Sequence, residues 1–310
     1  MANLGYSCSG TRRNIGFESC VVNAGNEKGH VLIPKGTTID LDATPFTLEY
    51  VTDQIQQGNF IWISNCFSQV SETPESTTET SPTGKMSVVQ KGLAVTTAIL
   101  KKGYEVHSSL YGYSLNDAWD VLQIFETNVI KAVRVGSTGN VIKGFSVGMY
   151  DVGGWQDTNG TVSAQTTIKY QFDDAFEVNE QGVFLTNLDF NANTGVNNIV
   201  DLEMTIRKAD ISDNKVYFSA VWARNKQVKI TSLASSNVRL YVDGANVAID
   251  TLTYNTANSE YELTPDTALA SADVVRVTTF DATASPAVAV AKVASGKLYK
   301  GDTGTVTAVA

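Results

Sequence analysis

The sequence predicts an all-β protein, mainly strand with one short helix, built as a β-sandwich or barrel followed by a smaller β-sandwich. Three observations predict it. Apolar and polar residues alternate over repeated short runs, turn clusters rich in Gly and Asn separate those runs, and 310 residues exceed the usual size of one domain. Composition agrees: 43% of residues are hydrophobic and 18% charged, with many Val, Thr and Asn, which suits pleated, half-buried surfaces.

Taken in chain order, Phe60-Ile61-Trp62-Ile63 is an apolar strand. The stretch from Ser71 to Gly84, SETPESTTETSPTG, contains no large apolar residue. It has no face to bury and is expected as a long exposed loop, the kind of segment that usually carries function. Helix is expected only over Val106 to Ser114, followed by a strand from Asp120 to Glu126.

Turn clusters follow at Gly136-Ser137-Thr138-Gly139-Asn140, Gly153-Gly154 and Asp157-Thr158-Asn159-Gly160, whose Gly and Asn tolerate positive φ, so a hairpin-rich sheet is expected. Alternation is clearest in Thr166-Ile168-Tyr170-Phe172, where Lys169, Gln171 and Asp173 are polar. It returns in Leu202-Met204-Ile206 and in Val216-Phe218-Ala220-Trp222, which read as antiparallel partners.

From Ala223 to Leu233 the pattern breaks. It restarts at Val238-Leu240-Val242, turns at Asp243-Gly244 into Val247-Ala248-Ile249, and continues through Thr251–Tyr254, a turn at Asn255–Ser259, Tyr261–Leu263 and Val274–Val277. Short strands at this spacing predict a small sandwich. The expected division is therefore 1–226 and 227–310, with 1–29 as an N-terminal arm and Asp281–Ala310 as a final strand or a pairing arm.

Asp and Glu number 32 against 23 Lys and Arg, a formal charge of −9, which argues against a surface made to neutralise phosphates. No stretch of 18 apolar residues and no signal-peptide pattern occurs, so no membrane association and synthesis in a bacterial cytoplasm are expected. Cys8, Cys20 and Cys66 cannot all pair within the chain and lack zinc-ribbon spacing, so they read as reduced thiols.

No catalytic residue, cofactor or metal site is expected. His107 sits beside Ser108 and Ser109, but no G-x-S-x-G elbow surrounds any serine, and phosphate-cradling glycine motifs are missing. His30 and His107 are too far apart for an H-E-x-x-H site. Asp189–Asn198 and Asp210–Asn214 offer oxygen ligands for calcium without EF-hand spacing, and turn chemistry explains both more simply. Among the tryptophans, Trp62 and Trp222 read as core, whereas Trp155 beside Gly153-Gly154 reads as an exposed contact aromatic. Glu72, Glu75 and Glu79 recur along the polar loop and read either as a solvated run or as a contact arm for a basic partner surface.

The stretch from Phe60 to Phe184 resembles a phage tail tube protein of the kind found in phages of Bacteroides and relatives. The order carries the resemblance: Phe60-Ile61-Trp62-Ile63, the acidic Thr- and Pro-containing loop, Gly84-Lys85-Met86-Ser87-Val88-Val89, Lys102-Gly103-Tyr104, Trp119-Asp120-Val121-Leu122, and Lys143-Gly144-Phe145-Ser146-Val147-Gly148-Met149. Val238 to Phe280, with its Asp-Gly turn and Leu263-Thr264-Pro265, is similar to bacterial immunoglobulin-like modules. The resemblance implies a virion tail subunit that closes hexameric rings and stacks them into a conduit for DNA ejection. It further implies contacts with tape measure, tail terminator and tail tip proteins, with the loop carrying Glu72, Glu75 and Glu79 at the inter-ring contact. DNA would then pass without specific binding, and the immunoglobulin-like unit would decorate the outside. The alternatives are another virion role, a head decoration or tail-tip component, and a surface glycan-binding module. Met1–Gly29, with Arg12-Arg13, has no counterpart in that resemblance.

Overall fold

The computed structural model describes residues 3–5, 24–136, 140–281 and 289–309. Cys8, Cys20, Arg12-Arg13, most of the expected arm and the centre of the 136–140 turn lie outside the described residues. The chain is mostly strand, as expected, and divides into two compact units: Met1–Gln54 with Gly58–Val196, and Ile55–Gln57 with Asn197–Ala310. The division thus falls at 196/197 and not at 226/227. The reason is pairing: the strand Lys215–Trp222 is bonded to Glu260–Pro265, so the hairpin it belongs to is part of the second unit's sheet.

Unit 1 begins with β1 (Asn3–Gly5), β2 (Glu27–Pro34), β3 (Thr38–Asp40), β4 (Ile61–Ile63) and β5 (Ser68–Glu72). It continues with β6 (Thr77–Thr80), β7 (Met86–Gln90), β8 (Val95–Leu100), β9 (Leu115–Asn116) and β10 (Trp119–Phe125). The remaining strands are β11 (Val129–Arg134), β12 (Val141–Lys143), β13 (Phe145–Val152), β14 (Thr166–Phe172) and β15 (Gly182–Thr186). The main sheet runs β1-β15-β11-β10-β13-β14-β8-β5, with β2 added beside β10 and β4 beside β2. Pairing is antiparallel along this path, so short turns suffice to connect neighbours.

On β2, Val31, Leu32 and Ile33 are all fully buried in succession, and on β10 so are Val121 and Leu122. A strand that buries consecutive residues is covered on both faces. β14 alternates instead, with Ile168 and Tyr170 buried and Lys169 exposed, as its sequence predicts. Tyr150, Phe145, Phe172 and Tyr170 pack in this core, the Phe145 and Phe172 rings at 70° to each other.

Among the described residues three α-helices accompany the sheets where one was expected: α1 (Leu48–Gln56), α2 (Tyr104–Tyr111) and α3 (Ala175–Glu180). The expected helix at 106–114 is α2, shifted towards the N-terminus because Gly103, at φ +87°, provides a start that a side-chain-bearing residue resists. For α1 the Thr47 hydroxyl accepts the Tyr50 N–H at 3.2 Å, and for α3 the Asp174 carboxylate accepts the Phe176 N–H at 2.7 Å.

Unit 2 holds β16 (Ile199–Asp210), β17 (Lys215–Trp222), β18 (Asn225–Lys229), β19 (Val238–Val242), β20 (Ala245–Val247) and β21 (Ile249–Asn255). Its later strands are β22 (Glu260–Pro265), β23 (Val274–Thr279), β24 (Val290–Lys292), β25 (Leu298–Lys300) and β26 (Asp302–Thr307). One sheet runs β21-β22-β17-β16-β25-β24 and the other β20-β19-β23-β26, enclosing one apolar core. The stretch after Asp281 therefore supplies strands to both sheets of its own unit. Leu202 faces Trp222 and Met204 faces Ala220, which makes the two alternating segments antiparallel neighbours as read from sequence. Asp243 and Gly244 both take positive φ, +50° and +80°, giving the two-residue turn their identity demands.

Candidate functional site

The edge of the main sheet of unit 1 ends in β5, whose backbone pairs with β8 and forms the last strand of the path. Alternation divides its side chains. Gln69 and Ser71 reach inward to Glu27, while Val70 and Glu72 face solvent. An edge of this kind leaves N–H and C=O groups free to pair with another strand.

Beyond Glu72 the chain does not stay irregular as expected. It forms a separate two-stranded hairpin, β6 paired with β7, in which Glu79 lies opposite Ser87 and Thr80 opposite Met86. The correction concerns order and not exposure, since every strand residue of β6 is exposed. The hairpin is closed by Gly84 at φ +79° and by a Ser81–Lys85 turn, and its base is pinched where a Cβ on Gly92 would lie 1.9 Å from the Pro74 carbonyl oxygen. Only glycine permits that approach.

Glu72, Glu75 and Glu79 are all exposed and fall on three successive pieces: the edge strand, the connection and the hairpin. Sequence reading missed the apolar companions. Met86 is 70% exposed, Val89 62% and Val88 60%, with Val70 on the adjoining edge strand also exposed. Met86 and Val88 share one face by strand periodicity. Phe67, just before β5, is covered on one side by the Lys101 ammonium, 3.4 Å from its ring centre. The signal lay in Met86-Ser87-Val88-Val89 directly after a polar loop.

Beneath β5 lies a buried polar network. The Glu27 carboxylate accepts hydrogen bonds from Gln69 (2.5 Å), Gln123 (2.7 Å), Tyr170 (3.1 Å) and Ser71 (3.0 Å). His30 bonds the Tyr150 hydroxyl at 2.9 Å and approaches Gln69 at 3.4 Å. Burial raises the Glu27 carboxyl above its ordinary range against the pull of its four donors, and burial drives the His30 imidazole down to about 4. The Cys66 thiol is likewise pushed up to about 12 by burial, so it stays protonated and unreactive. The network positions β5 through Gln69 and Ser71.

The other sequence candidates separate. Trp155 is half-buried and not fully exposed, because its ring packs on Tyr104 and His107 and its indole N–H donates to Asp157 at 2.7 Å. Ser109 donates its hydroxyl to the Glu105 carbonyl. The Asp210 carboxylate caps its own turn by accepting the Ser212 N–H, and Asn191 does the same with Asn193 and Thr194. Among the described residues no group of three His, Cys, Asp or Glu is placed to hold a metal ion. Trp62 is buried, as expected of a core residue, while Trp222 is half-buried.

No protein family, curated protein or solved structure matches the chain.

Proposed function

We propose that the protein is a virion structural subunit, a tail tube protein whose copies close into hexameric rings and stack into a conduit through which DNA passes without specific binding. The observation that carries this reading is the exposed β6–β7 hairpin extending from the open edge strand β5. An isolated two-stranded hairpin is marginal in water, and one that leaves Met86, Val88 and Val89 uncovered is expected to gain stability from a partner surface. Another copy of the chain is that partner, and pairing at β5 removes the exposed edge at the same time. Head-to-tail stacking then extends rings into a filament.

The net charge of −9 supports passage over binding, since an acidic wall repels phosphates. In this reading Glu72, Glu75 and Glu79 lie at the contact between rings, and tape measure, tail terminator and tail tip proteins are the other partners. The mature location is the tail of a virion. No helix among the described residues is long and apolar enough to cross a membrane.

Negative-stain electron microscopy of the purified chain tests the reading. Rings or tubes of uniform bore are expected from the wild type. Met86→Lys with Val88→Lys is expected to stop growth with an unchanged circular dichroism spectrum, and reversal of Glu72, Glu75 and Glu79 to Lys is expected to stop stacking while leaving rings. A wild-type protein that stays monomeric at high concentration overturns the proposal.

A further inference from the structure

Helix α2 places Tyr104, His107 and Tyr111 at spacings of three and four residues, on one face. Trp155 completes the set from the loop after β13. The Tyr104 and Trp155 rings meet at 86° with centres 5.7 Å apart, and His107 lies 5.8 Å from Trp155, 5.9 Å from Tyr104 and 5.8 Å from Tyr111. Tyr104 is 63% exposed and Tyr111 60%, while His107 beneath them is 7% exposed. Exposed rings gathered on one face, unlike scattered ones, mark an interaction surface.

We infer that the face formed by Tyr104, Tyr111 and Trp155 over His107 is a binding site for a neutral, extended carbohydrate chain. Four features select that ligand. The rings touch edge to face and fill one another's flanks, which gives a platform and not the deep pocket that seats a protein side-chain anchor. Tyr104 and Tyr111 stand two helical turns apart, roughly 10 Å along the axis, a span longer than one pyranose ring and suited to a chain of them. The fringe offers hydrogen-bonding groups at exposed Ser108, Gln156 and Asp157, as a hydroxyl-rich ligand requires. Of Asp, Glu, Lys and Arg, the segments Gly103–Gly112 and Gly153–Asp157 hold the acids Glu105 and Asp157 alone, which disfavour anionic glycans and phosphates.

A second observation points to the same ligand. The His107 Nδ1 is buried without a hydrogen-bond partner. A buried polar atom left unpaired is costly. The ring neighbours of His107, Tyr104 and Tyr111, are both exposed and free to turn, and a sugar hydroxyl reaching Nδ1 between them would supply the missing bond.

The test is saturation-transfer difference NMR on the full chain with cellotetraose, chitotetraose, maltotetraose and laminaritetraose, and with tetragalacturonate as the acidic control. At least one neutral tetrasaccharide is expected to receive saturation on its ring protons, and tetragalacturonate none. Tyr104→Ala or Trp155→Ala is expected to weaken binding about tenfold, the loss of one stacked ring, whereas Tyr104→Phe keeps the ring face and most of the affinity. Silence from all four neutral tetrasaccharides overturns the inference, as does binding of tetragalacturonate alone. Binding that is unchanged in both alanine variants overturns the assignment to this face. If no sugar binds and Tyr104→Ala instead abolishes self-assembly, the face is a protein contact and the inference is wrong.

Discussion

The two units solve the same problem, a stable all-β core, with different treatments of polar groups. Unit 1 encloses Glu27, His30, Gln69 and Gln123 among its strands and satisfies them by mutual hydrogen bonds. Unit 2 closes around Phe218, Tyr261, Leu240, Val275 and Val277, sets Lys215 against Glu262 and Arg276 against Asp302 on strand faces, and holds its buried polar side chains singly, Glu260 by the exposed Arg207 and Thr279 by the Gly301 backbone. The Tyr261 hydroxyl is tied to the Ile230 carbonyl and the Leu233 N–H. A buried network adds little net stability when intact and costs heavily when one member is lost, while surface pairs are cheap in both directions. Unit 1 is therefore the one whose geometry depends on protonation and on single polar side chains. It is also the one whose network holds β5, the edge from which the assembly hairpin extends.

The largest expected effect follows from removing the centre of the network. Glu27→Ala leaves Gln69, Gln123, Tyr170 and Ser71 without their common acceptor and is expected to destabilise unit 1 by about 3–5 kcal/mol. Phe218→Ala, which loses the ring stacked 5.1 Å from Tyr261, is expected to cost unit 2 a similar ~3–5 kcal/mol by opening a cavity. Hydrogen exchange separates the two: the first should speed exchange on β2, β5 and β10, the second on β17 and β22. Equal loss of protection in both units for either variant would contradict the contrast.

Protonation comes next. His30 is depressed from 6.5 to about 4, so between those values the unfolded chain binds a proton that the folded chain refuses. Its contribution to stability is complete above pH 6.5 and declines as pH falls towards 4, with a slope of at most ~1.4 kcal/mol per pH unit. Glu27 has the opposite sign. Its carboxyl is raised, so its contribution is complete below the ordinary carboxylate range and is lost as pH rises through the raised value. The two offset each other in mildly acidic solution. Urea titrations from pH 7 to pH 4 should therefore show a steeper fall for Glu27→Gln than for the wild type, and a shallower one for His30→Gln. Parallel curves for all three proteins would rule out the assignment.

What sequence could and could not reveal follows the same division. Half-buried strands announce themselves, and Thr166–Phe172 coincides with β14 because one face is wet and the other dry. β2 does not, since Val31-Leu32-Ile33 is buried on both faces and lacks alternation. The hairpin β16–β17 was legible as a pair, but its membership in the second unit depends on a partner strand, β22, that no local pattern specifies. Of the candidate site, the exposed acids could be read, whereas the network could not: Tyr170 and Glu27 stand 143 residues apart and meet only through the fold. α1 carried a readable start in Pro45 and Thr47, yet its apolar stripe is only Val51 and Ile55, too short to register as periodicity.

The smallest effect is expected at the surface of unit 2. Arg276 donates to both oxygens of Asp302, and this pairing, together with the Gly304 N–H, holds the Asp302 carboxyl below its ordinary value. A depressed carboxylate stabilises above its unfolded pKa, ~3.9, and loses that contribution as pH falls through the lower folded value. Both side chains are more than two-fifths exposed, so solvent and salt screen most of the attraction. Asp302→Asn should consequently leave the neutral-pH urea midpoint of unit 2 nearly unchanged in high salt, lower it slightly in low salt, and flatten the wild-type decline only below pH 4. A loss as large as that of Glu27→Ala would mean that unit 2, too, depends on one polar side chain for its stability, and the distinction between the two units would fall.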